Sequence, residues 1–256
     1  MKKSIWTAPL LGVTLLSIMA PSVVNAATSA SDMISNGEVT FKADSSITDP
    51  KDPLDPTDPN PIKPIDPSNP GGNPTPGTSG PLSLDFVSSF TFGEAAISSD
   101  DAKYYAKPQA FTQQDGSTVD RPNFVQISDK RGTFEGWTLK VKQEKQFAVK
   151  DDATRELIGA QLKFKNASLV SATDAKYAPT GLGSFELIPG TAQIAPVEAV
   201  KDQGMGTWIY RFGDDKQMNR SVELSVPGKT PKMAKAYVTA LTWTLESTPA
   251  NTTTKP

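Results

Sequence analysis

The sequence contains two short runs that read almost alike, GWTLK at residues 136–140 and TWTLE at residues 242–246. Together they hold two of the 4 Trp residues of the chain. Successive side chains of a β-strand point to opposite faces, so the Trp and the Leu of each run would share one face. The repetition indicates a common role for the two runs, either in a shared core or on a shared binding surface.

The four side chains concerned are Trp137, Leu139, Trp243 and Leu245. Exposed Trp rings would suit contact with glycans, because the apolar faces of sugars stack on aromatic rings. Burying a large apolar side chain contributes roughly 1.5–3 kcal/mol to stability, so burial of the Trp and Leu of each run would stabilise the fold. The Leu beside each Trp favours the core, and we expect two buried strands that one core could bring side by side.

From residue 82 onward the sequence reads mostly as strands, because apolar and polar residues alternate between Gly, Pro, Asn and Asp punctuation. One of these strands carries an aromatic face, made by Trp208, Tyr210 and Phe212, and is predicted to lie in the core. The predicted strands are Leu82–Phe86, Phe90–Phe92, Asn123–Ser128, Gly136–Lys142, Gly159–Lys165, Phe185–Ile188, Thr207–Phe212, Ser221–Val226 and Ala236–Glu246.

Helical periodicity is rare, and only Asp151–Ile158 could form a turn or two of helix. About nine strands without crossover helices indicate antiparallel pairing. We therefore predict an all-β fold, an antiparallel β-sandwich that is immunoglobulin-like or related, with a long proline-rich loop or linker. The sandwich domain is predicted over residues 82–248, followed by a disordered tail at residues 249–256.

The N-terminus has the features of an export signal, with two lysines, a short apolar run at residues 10–19 and a small-residue end at residues 24–26. The apolar run is too short to span a bilayer. We predict residues 1–26 as a signal peptide, so that the mature protein has no membrane span. The next segment, residues 27–47, contains one candidate strand, Glu38–Ala43, which would pair with the main domain or belong to a disordered arm.

Half of the 22 prolines lie in residues 48–81, where an Asp-Pro pair recurs at every third position from Asp49 to Pro59. A polyproline II helix has three residues per turn, so these aspartates would line one edge of a stiff rod rising ~3.1 Å per residue. Such a rod keeps the carboxylates too far apart to share one calcium ion, which favours a solvated spacer. The alternative is an excursion that folds across the domain.

The composition excludes several kinds of chemistry. The chain has 0 Cys and 0 His, which rules out Ser-His-Asp and Cys-His nucleophiles and zinc sites built from these residues. The formal net charge of −2 and the lack of a basic tract argue against nucleic acid as a partner. Paired carboxylates or an all-oxygen calcium site stay possible.

Four carboxylates were considered for glycan cleavage, which needs two carboxyl groups roughly 5–10 Å apart. These are Glu135, Glu144, Glu186 and Glu223. Each lies in or beside a predicted strand at a position expected to face solvent, so we interpret them as surface charges. We accordingly predict a protein that is not an enzyme, with no catalytic residue, metal or cofactor.

A tight turn is predicted at residues 128–132, SDKRG, ahead of the first Trp-containing strand. Asp129 can accept a hydrogen bond from its own downstream backbone, and Gly132 can adopt a positive φ. Asp129 and Arg131 could tie the turn to each other, which is the favoured interpretation, or could face a ligand. Both residues are therefore candidates for a ligand-facing role.

Several motifs occur in a fixed order along the chain. After the export signal and the Asp-Pro segment, they are GPL at residues 80–82, SDKRG at 128–132, GWTL at 136–139 and LTWTL at 241–245. In this order they resemble the motifs of WxL-domain surface proteins of Gram-positive bacteria. A single Trp-x-Leu is a weak signal, whereas two with this spacing and these flanks are a strong one. The resemblance covers nearly the whole mature chain.

The resemblance implies a secreted protein that is held non-covalently at the cell wall, on the cell surface, with peptidoglycan as its ligand. It also implies association with surface proteins of the same operon. The final residues, 247–256, carry no hydrophobic span or sorting motif, so we expect attachment through the folded domain or a partner. The alternative is a subunit or adhesin of a surface complex that binds a protein instead of wall glycan, through the free edge of a sheet.

Overall fold

A computed structural model describes residues 33–60, 62–69, 71–191 and 194–247. The predicted signal peptide and the predicted tail lie outside these residues. In chain order the strands are β1 (Lys63–Pro64), β2 (Leu82–Val87), β3 (Ala102–Tyr105), β4 (Gln109–Thr112), β5 (Thr118–Arg121), β6 (Asn123–Asp129), β7 (Trp137–Gln143), β8 (Ala148–Val149), β9 (Asp152–Glu156), β10 (Gln161–Phe164), β11 (Ala167–Val170), β12 (Thr180–Gly181), β13 (Phe185–Leu187), β14 (Ile194–Ala199), β15 (Gly206–Phe212), β16 (Val222–Val226), β17 (Tyr237–Val238) and β18 (Leu241–Ser247). Two short 3-10 helices span Ala175–Tyr177 and Met218–Arg220.

The chain divides into two units, residues 1–40 and 41–256. The described part of the first unit, residues 33–40, is exposed and lies in no helix or strand. The strand predicted at Glu38–Ala43 is therefore not found. Its two apolar side chains, Val39 and Phe41, are 74% and 88% exposed, so their alternation does not reflect a buried face.

Within the described residues all the strand pairs are antiparallel, as predicted, and they form three four-stranded sheets and two three-stranded sheets. The larger sheets have the orders β11-β15-β6-β2, β12-β14-β7-β18 and β13-β10-β16-β3. The smaller ones have the orders β1-β4-β5 and β17-β8-β9. The prediction of an all-β sandwich fold is confirmed.

The two Trp-containing runs form neighbouring strands of one sheet. β7 and β18 pair along their whole length, with Leu139 directly opposite Leu245 and Val141 opposite Trp243. Opposite residues of an antiparallel pair have Cβ atoms about 4.5–5.5 Å apart, so their side chains on the same face are in contact. Two segments about 100 positions apart in sequence thus share one hydrogen-bonded ladder.

Inward-facing side chains of the three larger sheets form one continuous core. Its centre is aromatic, with the ring of Phe164 stacked on Phe185 at 4.7 Å and tilted against Phe212 at 4.8 Å between centroids. The predicted aromatic face of β15 is confirmed as buried, since Trp208, Tyr210 and Phe212 are 3%, 0% and 0% exposed.

The proline-rich segment departs from the straight rod predicted for it. The Oδ1 atom of Asp52 accepts a hydrogen bond from the Leu54 amide at 2.8 Å, and Asp55 and Asp58 do the same for the amide two residues on. These local turns interrupt polyproline II geometry, because Asp side chains readily hydrogen-bond the backbone two residues ahead. Asp52 itself is buried, and both its carboxylate oxygens accept a hydrogen bond from Nε of Arg121.

A polar network on β2 and β6 contacts this Asp-Pro run. Gln126, which is fully buried, donates through Nε2 to the Asp49 carbonyl and accepts from the Lys51 amide at 2.7 Å. The same Nε2 donates to the buried carboxylate of Asp85 at 3.0 Å, which also accepts from Ser83 and Ser128. Burial raises the pKa of Asp85, and the three hydrogen bonds oppose that rise.

Sequence periodicity missed most of the polar edge strands. Asp152–Glu156, predicted as helical, is strand β9, and all five of its residues are exposed. It carries no apolar stripe that could stabilise a helix, and its backbone pairs with β8. Phe90–Phe92, predicted as a strand, lies in none, and the strand predicted at Ala236–Glu246 is split into β17 and β18.

Replacing Leu139 by Ala should lower the free energy of unfolding by about 2–5 kcal/mol, because this side chain is 0% exposed and its removal leaves a cavity. Leu245→Ala is the matched control, since Leu245 faces Leu139 across the ladder but is only half-buried. Leu245→Ala should lower the free energy of unfolding clearly less than Leu139→Ala does. Urea unfolding monitored by Trp fluorescence measures both, and equal losses would contradict this account of the core.

The Asp85→Asn substitution should change how stability depends on pH. A carboxyl group whose pKa is raised by folding stabilises the protein at low pH. This contribution is lost as pH rises from the pKa of the unfolded state, about 3.9, through the pKa of the folded state. The amide does not titrate, so the stability of D85N relative to the wild type should rise across that window and then level off. Urea midpoints measured at a series of pH values test this, and a constant difference would contradict it.

Candidate functional site

The first Trp of the paired motif is a core residue. Trp137 is 0% exposed, and its Nε1 donates to the Gly204 carbonyl at 3.0 Å. Gly204 has a φ of +76°, and a Cβ at this position would lie 2.5 Å from Nε1 of Trp137. Only glycine fits this close approach, so Trp137 and Gly204 together fix the loop ahead of β15 against β7.

The second Trp has a different environment. Trp243 is half-buried, and its ring packs edge-on against Phe164 at 6.2 Å between centroids. Its Nε1 is buried without a hydrogen-bond partner among the described residues. The remaining surface of the ring lines an open cleft. The two motifs, alike in sequence, therefore place one Trp in the core and the other at the boundary between core and cleft.

The cleft has a volume of about 1360 Å³. It is bordered by two non-strand segments, one around residues 88–97 and the other around residues 232–236. Buried apolar side chains of β10 and β16 also contribute to its lining. Its aromatic lining consists of Phe86, Phe90, Phe92, Tyr104, Phe147, Tyr237 and Trp243.

The sequence pattern does not reveal this cleft. Of its seven aromatic residues, only Trp243 is a predicted candidate for a binding role. The alternation of Phe90 and Phe92 was a visible signal, but it was read as a strand. Tyr104 lies on a short strand of mixed polarity, and nothing in the sequence indicates that it faces Trp243's side of the fold.

Asp129 and Arg131, the candidate ligand-facing pair, form a two-point ion pair. Nε of Arg131 lies 2.9 Å from Oδ1 of Asp129, and Nη2 lies 2.6 Å from Oδ2. The guanidinium also donates to the Gly136 carbonyl at 2.7 Å and to Oγ of Ser247 at 2.6 Å. Arg131 thereby connects the start of β7 with the end of β18, and the hydrogen bonds to Asp129 raise its pKa.

Each of the four carboxylates considered for catalysis lies beside a cation. Glu135 is 3.6 Å from Arg131, Glu144 is 2.9 Å from Lys142, and Glu186 is 2.5 Å from Lys163. Hydrogen bonds lower the pKa of Glu144, mainly that from Thr242 and also that from Lys142. A general acid needs a raised pKa, so the lowered pKa of Glu144 argues against that role for it.

Glu223 differs from the prediction that it would face solvent. It is 5% exposed, because Lys165 at 2.6 Å and Lys103 at 3.1 Å cover it. The long apolar stems of lysine bury a carboxylate while their ammonium groups stay hydrated. The hydrogen bond from Lys165 is the main cause that lowers the pKa of Glu223.

Within residues 33–60, 62–69, 71–191 and 194–247, no cluster of three or more acidic side chains has the spacing to hold a metal ion. The helices of this part of the chain are too short and too polar to cross a membrane.

Comparison with known protein families places this chain in a surface-protein family. The sequence model of the WxL domain, described as surface cell wall-binding, matches residues 28–249. No curated protein and no solved structure matches the chain. The matched region includes both Trp-x-Leu strands, the Asp-Pro run and the aromatic cleft. Because the match spans most of the sequence, the chain belongs to the WxL domain family and is a cell-surface, cell wall-binding protein.

Proposed function

We propose that the protein binds peptidoglycan without covalent attachment, and that a glycan strand of this polymer lies in the aromatic cleft. The observation that carries the proposal is the position of Trp243, which the second WxL motif presents to an open cleft of about 1360 Å³. Small-ligand pockets typically measure roughly 300–1,000 Å³, so this cleft suits a longer segment of a polymer.

The lining of the cleft supports a saccharide ligand. Aromatic side chains offer large, rigid contact surfaces, and those with a polar tip, Tyr and Trp, can also hydrogen-bond. Tyr104 and Tyr237 supply two phenol groups, and Ser89, Thr91 and Thr239 add hydroxyls along the border. This mixture of flat apolar surface and neutral polar groups matches the two kinds of surface that a sugar ring presents.

The borders of the cleft are tied together before any ligand binds. Nζ of Lys232 donates to the carbonyls of Ser98 at 3.1 Å, Pro227 at 3.1 Å and Thr230 at 3.0 Å. The Gly228 amide donates to Asp101 at 2.8 Å, which makes a second link between the same two loops. A preformed site loses less conformational entropy on binding, so Lys232 is expected to act as a positioning residue.

A protein partner is the second candidate, and the sheet topology favours it. Strand β18 lies at the edge of the sheet β12-β14-β7-β18, and β2 lies at the edge of β11-β15-β6-β2. An edge strand can pair with a strand from another chain. Such a partner could be a surface protein encoded in the same operon, and the domain would then be a subunit or adhesin of a surface complex.

Sedimentation with walls separates the two candidates. The mature protein should sediment with whole walls and equally with peptidoglycan stripped of protein and teichoic acid. Sedimentation with whole walls alone would instead support the protein partner or another wall polymer.

Substituting Tyr104 by Ala should weaken sedimentation with stripped peptidoglycan about 2- to 12-fold, which corresponds to an aromatic contact worth roughly 0.5–1.5 kcal/mol. Tyr105→Ala is the matched control, because neighbouring strand residues face opposite sides and Tyr105 lies outside the cleft lining. Equal effects of the two substitutions, or none from Tyr104→Ala, would contradict a glycan site in this cleft.

Substituting Lys232 by Met should loosen the cleft border. Because the ammonium links Ser98 to residues 227–230, amide hydrogen exchange in both loops should accelerate in the free protein, and peptidoglycan binding should weaken. Lys235→Met is the control, since Lys235 also borders the cleft but is exposed. Unchanged exchange in K232M would show that this lysine does not hold the two loops together.

A further inference from the structure

A second, polar pocket lies where the Asp-Pro run meets the ends of β11 and β15. Its volume is about 460 Å³, and it shares no lining residue with the aromatic cleft. The polar side chains in its lining are those of Lys51, Thr57, Asp58, Ser171, Thr173 and Thr207. Two features that wall binding at the cleft leaves unexplained, the Asp-Pro run and the buried Asp85, converge on this pocket.

A chain of hydroxyl groups connects the pocket to Asp85. Oγ1 of Thr207 lies 2.8 Å from Oγ of Ser128, and Ser128 donates to Oδ2 of Asp85 at 2.7 Å. Ser128 has a single hydroxyl hydrogen, and Asp85 takes it. Thr207 must therefore be the donor to Ser128, which leaves the lone pairs of Thr207 available as acceptors.

The direction of this chain is fixed by the backbone around it. Gln126 accepts from the Lys51 amide and donates to the Asp49 carbonyl, so its amide orientation is determined. Its Nε2 then donates to Oδ2 of Asp85, the same oxygen that receives Ser128. A proton on Asp85 would go to Oδ1, beside Ser83, and Oδ2 would stay an acceptor in either state.

Two other hydroxyls of the pocket have the same polarity. Thr57 gives its hydrogen to Asp55 at 2.6 Å, and Ser171 gives its hydrogen to the Thr207 carbonyl at 2.5 Å. The hydroxyl groups of Thr57, Ser171 and Thr207 thus donate their hydrogens within the protein, and their oxygens are left to accept hydrogen bonds in the pocket. A complementary ligand must bring hydrogen-bond donors. Lys51 and Asp58 give the lining one positive and one negative charge, so the pocket has no net charge to select a charged ligand, and neutral hydroxyl groups fit.

We propose that this pocket binds a neutral polyhydroxylated unit, such as one sugar residue, whose hydroxyls donate to Thr207 and accept from the ammonium of Lys51. The Asp-Pro run would then supply one wall of a second saccharide site. This site acts independently of the aromatic cleft, and its existence does not require that the cleft bind peptidoglycan.

Residue-resolved NMR titration of the mature protein with N-acetylglucosamine tests the proposal. Amide shifts should concentrate at residues 51–58, 171–173 and 207. Thr207→Val keeps the branched shape of the side chain but removes the acceptor oxygen, and should weaken binding at these residues about 2- to 12-fold. Thr180→Val, on the exposed strand β12, is the matched control and should leave the affinity unchanged.

Lys51→Met provides a second variant, because Lys51 contacts Gln126 through its backbone amide and the substitution leaves that contact in place. It should also weaken binding while leaving the spectrum of the free protein folded. Absence of shifts at the pocket residues, or equal shifts in the wild type and both variants, would overturn the proposal. Shifts at cleft residues such as Tyr104 report separately on the glycan site proposed there.

Discussion

Strands β7 and β18 form a continuous ladder in which the two Trp-x-Leu runs meet at Leu139 and Leu245. Several other parts of the fold are arranged around this pair. β14 pairs with the opposite edge of β7, Arg131 connects the two strand ends, and Gly204 closes on Trp137 from the loop before β15. The pairing register of β7 and β18 constrains the rest of the fold, because a shift of one residue would turn the buried side chains of a strand to the opposite face.

The two motifs share a sequence but not a role. Trp137 has its indole hydrogen bonded and its ring enclosed, so its contribution is to packing. Trp243 packs on Phe164 with one part of the ring and borders the cleft with another. A repeated motif can thus stabilise a core through one copy while the other copy gives that core an open, aromatic boundary. The two copies of the motif therefore differ in whether the Trp is enclosed by the core or borders the cleft.

Strands with an apolar face were predictable from alternation, because burial on one side imposes a period of two on the sequence. Edge strands such as Thr118–Arg121 and Asp152–Glu156 were not, since they bury little and exist through backbone pairing with a neighbour. The cleft was unpredictable for another reason. Phe92, Tyr104 and Tyr237 come from separate segments, and only the tertiary fold brings them beside Trp243. The roles of Asp129 and Arg131 toward a ligand stay predictions.

The long sequence separation between β7 and β18 has a consequence for how the protein folds. Closing a loop of about 100 residues costs entropy before any contact repays it, and folds rich in such contacts form slowly. Until β18 arrives, one edge of β7 stays unpaired next to Trp137, Leu139 and Val141, which is a template for association with other chains. The sheet β12-β14-β7-β18 therefore forms only once the chain has been made beyond residue 240, because β18 is its last strand.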